Sequence, residues 1–423
     1  MLKYFFSRSE NSRNILTVMS GTVFSQIVTV AAAPVLSRLY TGEQFGILAL
    51  YISISALFIL IATGRYELAI VLPDEEKKAY NLVAVSSLIA AAMTLISYLT
   101  VLIFGDILSS MFKEPLLGRF LLFVPLSVLS MGLYQVFYNW SLRRKKFRIM
   151  SFSKIVQSAV TVAVSITMGF SGDVASGLIA GWIAGQIAAM AFIGISTLIK
   201  QPVAWSQIRY PEMKSVAIQY KDFPRVNAFH AMLDSVQNYG ITFLISFAFG
   251  NTALGWYSFS YRILRTPLAL IGSSFAQINY GTMSEMYNKG ISIRPVVVQT
   301  MKRIFFIGIP FFAIAAVFSP YIFNVIFGSE WEQAGVLAQI MAPWLFINFI
   351  VSPASVVPNI LNKQKKAFIL NLSAAAFSLL ILFASIVLKQ SFFVSFLFFS
   401  VASLLSQTYI GSWLLKISGT QMR

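Results

Sequence analysis

Apolar runs of about 20 residues, the length a helix needs to cross ~30 Å of hydrocarbon, recur along this whole chain and leave few folds open to it. They lie near 15–36, 45–65, 81–104, 116–142, 152–170 and 177–199, then near 226–249, 255–277, 304–327, 335–357, 367–388 and 391–415. In lipid each backbone N–H and C=O must find a partner inside the protein, so runs of this kind form helices. Only 11% of the residues are charged, where a soluble chain carries roughly 25%. The expectation is an all-α, polytopic membrane protein of about twelve transmembrane helices.

The one sizeable polar interval, 200–225, falls at mid-chain. It suggests a duplicated unit: an N-terminal six-helix lobe over 1–200, a cytoplasmic connector over 201–225, and a C-terminal six-helix lobe over 226–423. An internal echo supports this, because Phe45–Tyr51 (FGILALY) resembles Leu254–Ser260 (LGWYSFS) at the start of the second and eighth spans. Six is even, so the halves share an orientation and are related about the membrane normal.

Lys and Arg outnumber Asp and Glu by 32 to 15. Arg38, Lys113, Arg119 and Lys389 fall on one side and Arg262 and Arg265 inside spans; every other Lys and Arg, Lys154 included, falls on the opposite side. That asymmetry puts both termini in the cytoplasm. It also accounts for the basic balance without nucleic acid, and the run Arg143–Arg148 (RRKKFR) reads as an anchor for membrane-lipid headgroups. The chain has no Cys and a single His, His230, which excludes disulfides, thiolate chemistry and Cys/His zinc sites. Phosphate-binding glycine loops, dinucleotide fingerprints and HExxH are absent, so the expectation is a membrane transporter and not an enzyme.

The residues that stand out chemically are polar groups inside spans. Asn227, His230, Asp234, Gln237 and Asn238 share one face of the seventh span. Arg262 and Arg265 follow at i and i+3 in the eighth. An ionised side chain at mid-bilayer costs about 2.5–3.5 kcal/mol on insertion scales, so these groups need partners, water or a charged ligand. An Asp234–Arg265 ion pair is one solution, but one carboxylate cannot neutralise two guanidiniums. A wet cationic cavity or an anionic ligand supplies the rest, and the planar guanidinium fork suits phosphate oxygens. Asp234 and His230 are also the groups through which H+ or Na+ could couple to transport; no other cofactor is implied.

On the first span Thr22, Ser25, Gln26 and Thr29 form a polar face, read either as helix–helix contact or as cavity lining that corresponds by duplication to the Asp234 face. Arg65 and Glu67 close the second span, as an interfacial pair or as a capture point for an anionic headgroup. Gln135, Tyr138 and Asn139, like Asn348 and Ser352, could bond sugar hydroxyls or simply pack. Pro267, Pro310, Pro343 and Pro353 are expected to kink their helices.

Several of these segments together carry a family resemblance. Leu36–Gly46 (LSRLYTGEQFG), Gly64–Pro73 (GRYELAIVLP), Tyr220–Pro224 (YKDFP), Gly255–Leu264 (GWYSFSYRIL) and Pro267–Gly272 (PLALIG) are similar to bacterial polysaccharide flippases. These form the polysaccharide-transporter branch of the multidrug/oligosaccharidyl-lipid/polysaccharide exporter superfamily. The resemblance implies two pseudo-symmetric six-helix lobes in a V around a central cationic cavity, in the bacterial inner membrane. It implies a cargo of undecaprenyl-diphosphate-linked oligosaccharide, such as an O-antigen (lipopolysaccharide) or capsule repeat unit, moved from the cytoplasmic to the periplasmic leaflet. Arg262 and Arg265 would face the diphosphate and Arg65 would lie near the inner entrance; Ser25, Gln26, His230, Asp234, Gln237 and Asn238 would line the cavity or couple ions. Polysaccharide polymerase and chain-length machinery are the protein partners this implies. The rival readings are a cation-coupled multidrug exporter on the same scaffold, and a membrane glycan polymerase or ligase. The first should carry cavity carboxylates, and the second generally needs a large outer loop.

Overall fold

The computed structural model describes residues 10–173, 176–200 and 203–419; some side chains within helices, among them His230, Asp234, Gln237 and Asn238, lie outside the described residues. Helices account for nearly all of it: α1 (Glu10–Leu39), α2 (Gly42–Ile61), α3 (Glu76–Met111), α4 (Pro115–Leu121), α5 (Val124–Arg143), α6 (Phe147–Phe170), α7 (Gly177–Lys200), α8 (Tyr210–Gln219), α9 (Ala228–Asn288), α10 (Arg294–Phe327), α11 (Glu332–Val351), α12 (Val357–Ile360), α13 (Gln364–Val387) and α14 (Phe392–Ser418).

Each of the twelve expected spans falls on a helix. Among the described residues nine helices are long and apolar enough to cross a membrane, and α4 with α5, bent by 42°, makes a tenth. The seventh and eighth expected spans both lie in α9, where Gly250 breaks the helix with φ 85° and ψ 175°; only glycine takes that conformation without strain. The chain is thus a multi-pass helical membrane protein. Its helices are recognisable because ~20 apolar residues in lipid have no other way to satisfy their backbone.

The ends of these helices follow local chemistry. Pro115 and Pro125 open α4 and α5, where a missing N–H costs nothing. Pro310 and Pro343 lie inside α10 and α11 as expected, and Pro320 and Pro34 join them inside α10 and α1. Pro353 instead opens a short 3₁₀ turn, Ser352–Val356, between α11 and α12. It marks a break and not a kink, because the chain has already left the α-helix one residue earlier.

By their contacts the residues divide into two compact units: 1–40 with 47–242, and 41–46 with 243–423. In the first, small residues let helices approach closely. A Cβ at Gly181 or Gly185 of α7 would overlap Ser165 Oγ or Thr161 Oγ1 of α6, which is membrane packing by the small-xxx-small pattern. Tyr40 donates to the Ser165 carbonyl at 2.6 Å. The interval expected as a polar connector is folded onto this unit. Val203 and Val216 are buried with Ile70, Leu82 and Trp140. Lys77 Nζ meets Glu212 Oε1 at 2.7 Å, and the Lys77 bond and charge hold the Glu212 carboxyl below its ordinary range. The fully buried Asn81 accepts from the Arg209 N–H and donates to the Gln207 carbonyl.

In the second unit the start of α2 packs against the segment after Gly250, at the two places where the internal echo was seen. A Cβ at Gly46 would overlap the Asn251 carbonyl, and one at Gly255 would overlap the Gly42 carbonyl. Beside this crossing Phe259 lies tilted against Trp331 at 4.2 Å and meets Phe327 and Phe45 edge-on at 4.9 and 5.2 Å. A second core lies at the other end of the unit, around Met301, Val357, Ile410 and Trp413.

Candidate functional site

Arg262 and Arg265 stand in α9, twelve and fifteen residues past the Gly250 break, ~18 and ~22 Å along the axis. Arg262 is half-buried and Arg265 exposed. Arg265 donates to the Tyr261 hydroxyl and lies 5.1 Å from the centre of that ring. Stacking of this kind suits the flat guanidinium and leaves most of its donors free. Among the described residues no carboxylate forms an ion pair with either arginine. The expected Asp234–Arg265 pair, and the roles given to His230, Gln237 and Asn238, lie outside the described residues.

Arg65 is built differently. Helix α2 ends at Ile61, and Gly64 and Arg65 then turn the chain with φ 58° and 63° before a 3₁₀ segment, Tyr66–Val71. Glu67 in that segment is 2% exposed; its Oε1 lies 3.7 Å from Arg65 Nη1, and its Oε2 accepts from Thr63. The pair expected at the interface is therefore half buried, and desolvation makes the cost of breaking it larger than for a surface pair. Arg65 Nε finds no hydrogen-bond partner although buried, while its side chain is still 23% exposed. A guanidinium so placed has donors left for an oxyanion. Nearby, Tyr66 donates to the Ala217 carbonyl at 2.9 Å, and Arg143 donates to the carbonyls of Pro73 (2.6 Å) and Ile70 (3.3 Å) and to Glu76 (3.2 Å). These bonds tie the turn after α2 to α5 and α8, so Arg65 sits on a fixed platform.

On α1, Thr22, Ser25 and Gln26 are half-buried, and Gln26 Oε1 is buried without a donor. Thr29 turns inward on its own helix and donates to the Ser25 carbonyl. On α5 the Gln135 side-chain oxygen is likewise unpartnered, and Asn139 donates to the Gln135 carbonyl at 3.0 Å.

Lys154, counted among the charges of the inner side, lies seven residues inside α6, where its ammonium donates to Thr22 Oγ1 at 2.9 Å and stands 5.7 Å from the Tyr138 ring centre. It escaped attention because the neighbouring Arg143–Arg148 run absorbed it into the positive-inside count. The available signal was its place within the 152–170 span, on one face with Gln157 and Ser158 at i+3 and i+4.

A family model described as polysaccharide biosynthesis protein matches residues 35–336. No curated protein sequence matches the chain. Among solved structures, an inward-facing multidrug resistance transporter of the MATE family, in the MOP superfamily, superposes with a TM-score of 0.76 at 10% identity, covering 93% of this chain and 94% of that one. The lipid II flippase MurJ, in an inward closed conformation, gives 0.73 at 15% identity, over 94% and 86%. The eukaryotic MATE transporter AtDTX14 gives 0.57 at 13% identity, over 96% of each chain. At these identities the likeness is one of fold.

Proposed function

The chain belongs to this polysaccharide biosynthesis protein family, and on that premise we propose that it is a flippase for undecaprenyl-diphosphate-linked oligosaccharide repeat units. It acts in the bacterial inner membrane, with both termini in the cytoplasm, and exposes its site alternately to the two leaflets. The cargo enters from the cytoplasmic leaflet with its polyprenyl tail in lipid and leaves on the periplasmic side, where polymerase and chain-length machinery use it for O-antigen or capsule.

The observation that carries this reading is the half-buried Arg262, one helical turn from Arg265, in an apolar helix and without an ion-paired carboxylate among the described residues. Two guanidiniums match the charge of a diphosphate and replace its lost hydration with charge-assisted hydrogen bonds. Arg65, with donors to spare beside Glu67, receives the headgroup at the inner entrance. Asp234 or His230 couples H+ or Na+ to the cycle. No bond in the cargo is made or broken, so the protein is a transporter and not an enzyme.

The test is Arg262→Ala with Arg265→Ala in a cell whose surface glycan depends on this chain. We expect glycan display to be lost while the protein stays folded and inserted at its normal level. Undiminished display would contradict the reading.

A further inference from the structure

The first unit carries a cation that the diphosphate reading does not use. Lys154 lies ~10 Å along α6 from its start, and no described carboxylate pairs with it. An ammonium offers three donors, and Thr22 Oγ1 on α1 takes one of them, at 2.9 Å. One turn beyond Thr22 on α1 is Gln26, whose Oε1 is buried with no donor; one turn before Tyr138 on α5 is Gln135, whose Oε1 is in the same condition. Tyr138 itself presents its ring 5.7 Å from the ammonium and is steadied by Tyr134 at 5.7 Å, which in turn bonds Ser153 at 3.1 Å. Within one helical turn of the two Lys154 contacts, α1 and α5 thus offer buried acceptors without donors beside an ammonium with donors to spare and an aromatic ring. Buried polar atoms do not stay unpartnered. A pyranose would meet these demands and pack on the ring.

We propose that Lys154, Thr22, Gln26, Gln135 and Tyr138 form a saccharide site that takes an acidic sugar of the cargo. The sugar carboxylate accepts from the Lys154 ammonium, its hydroxyls donate to the Gln26 and Gln135 amide oxygens, and its apolar face lies on Tyr138. A single point charge matches one carboxylate, whereas the forked guanidiniums of Arg262 and Arg265 match a diphosphate. This inference rests on the flippase reading and adds to it a preference for glycans that contain a uronic acid.

The test titrates the full-length protein in nanodiscs with three probes: undecaprenyl diphosphate, the same carrier bearing one glucose, and the carrier bearing one glucuronic acid. Wild type should bind the glucuronyl carrier about tenfold more tightly than the glucosyl one, the size of one charge-assisted bond. Lys154→Met should abolish that preference and leave the bare carrier within about twofold. Lys154→Arg should keep most of it, and Gln26→Leu or Gln135→Leu should weaken both sugar-bearing probes and spare the bare one. If Lys154→Met does not fold, the two glutamine variants and Lys154→Arg carry the same comparison. Equal weakening of all three probes would mean that Lys154 meets phosphate, and no change would mean that it only packs; either overturns the inference. Wild-type binding of the bare carrier with no preference among the sugars removes this inference alone. Failure of the wild type to bind any of the three removes the flippase reading with it.

Discussion

Arg65 shows how much a single position can hold. A non-glycine residue in the left-handed region costs about 1–2 kcal/mol, yet the chain keeps an arginine there directly after Gly64, which already has positive φ. Strain of this kind persists where a side chain is needed, and here the side chain meets buried Glu67 and keeps an unpartnered Nε. Two variants separate backbone from charge. Arg65→Gly and Arg65→Ala both remove the guanidinium, so glycan display should fall in both to the same degree. Only alanine keeps the strained backbone, so Arg65→Ala should be less stable than Arg65→Gly by about 1 kcal/mol. Thermal unfolding in detergent measures the difference; equal stabilities would show that the turn does not strain this residue. The residue scale is also where reading the sequence succeeded least. That Arg65 and Glu67 pair was legible from their spacing, but that Glu67 is buried and bound by Thr63 depends on the turn after α2, which periodicity does not describe. Lys154 was hidden by the basic run beside it, since a charge near a span end counts equally as anchor or as interior cation until the helix start is known.

At the scale of elements the internal echo has a physical cause. Gly46 and Gly255 occupy matching places in the two echoing segments, and each lies against the backbone of the other's segment, at Asn251 and Gly42. Only a residue without Cβ lets the backbones approach so closely. Gly46→Ala or Gly255→Ala should therefore cost about 1–3 kcal/mol, the usual penalty for overpacking, and lower the yield of inserted protein. Alanine at Gly281, inside α9 where nothing lies within 4 Å, should raise stability by up to about 1 kcal/mol and serves as the control. Unchanged melting of both alanine variants at the crossing would show that this packing is looser than described. The helices themselves were legible because hydropathy over ~20 residues reports the one thing lipid demands. Their ends and interruptions were less so. The break at Gly250 and the 3₁₀ turn at Ser352–Val356 depend on single backbone conformations that leave little trace in a hydropathy window. The connector was the least legible element. Its composition is polar, but Val203 and Val216 place its few apolar residues in the core under Trp140, and Asn81 fixes its entry.

For the whole molecule, composition and charge asymmetry were enough to specify a multi-pass helical membrane protein, and quoted segments from four spans were enough to suggest its family. Chemistry was legible only as a puzzle: cations where lipid should exclude them. Arg262 and Arg265 remain without a paired carboxylate among the described residues, and that arrangement makes sense if an anion passes them during the working cycle. The central claim is therefore about movement of a doubly charged headgroup, and purified components test it most directly. The protein is reconstituted in liposomes with a fluorescent undecaprenyl-diphosphate-linked oligosaccharide, and the fraction of label reached by a membrane-impermeant quencher is followed in time. The account predicts that wild type equilibrates the label between leaflets well above the rate of empty liposomes, and that Arg262→Ala with Arg265→Ala returns it to that background. A double variant that moves the lipid as fast as wild type would contradict the account.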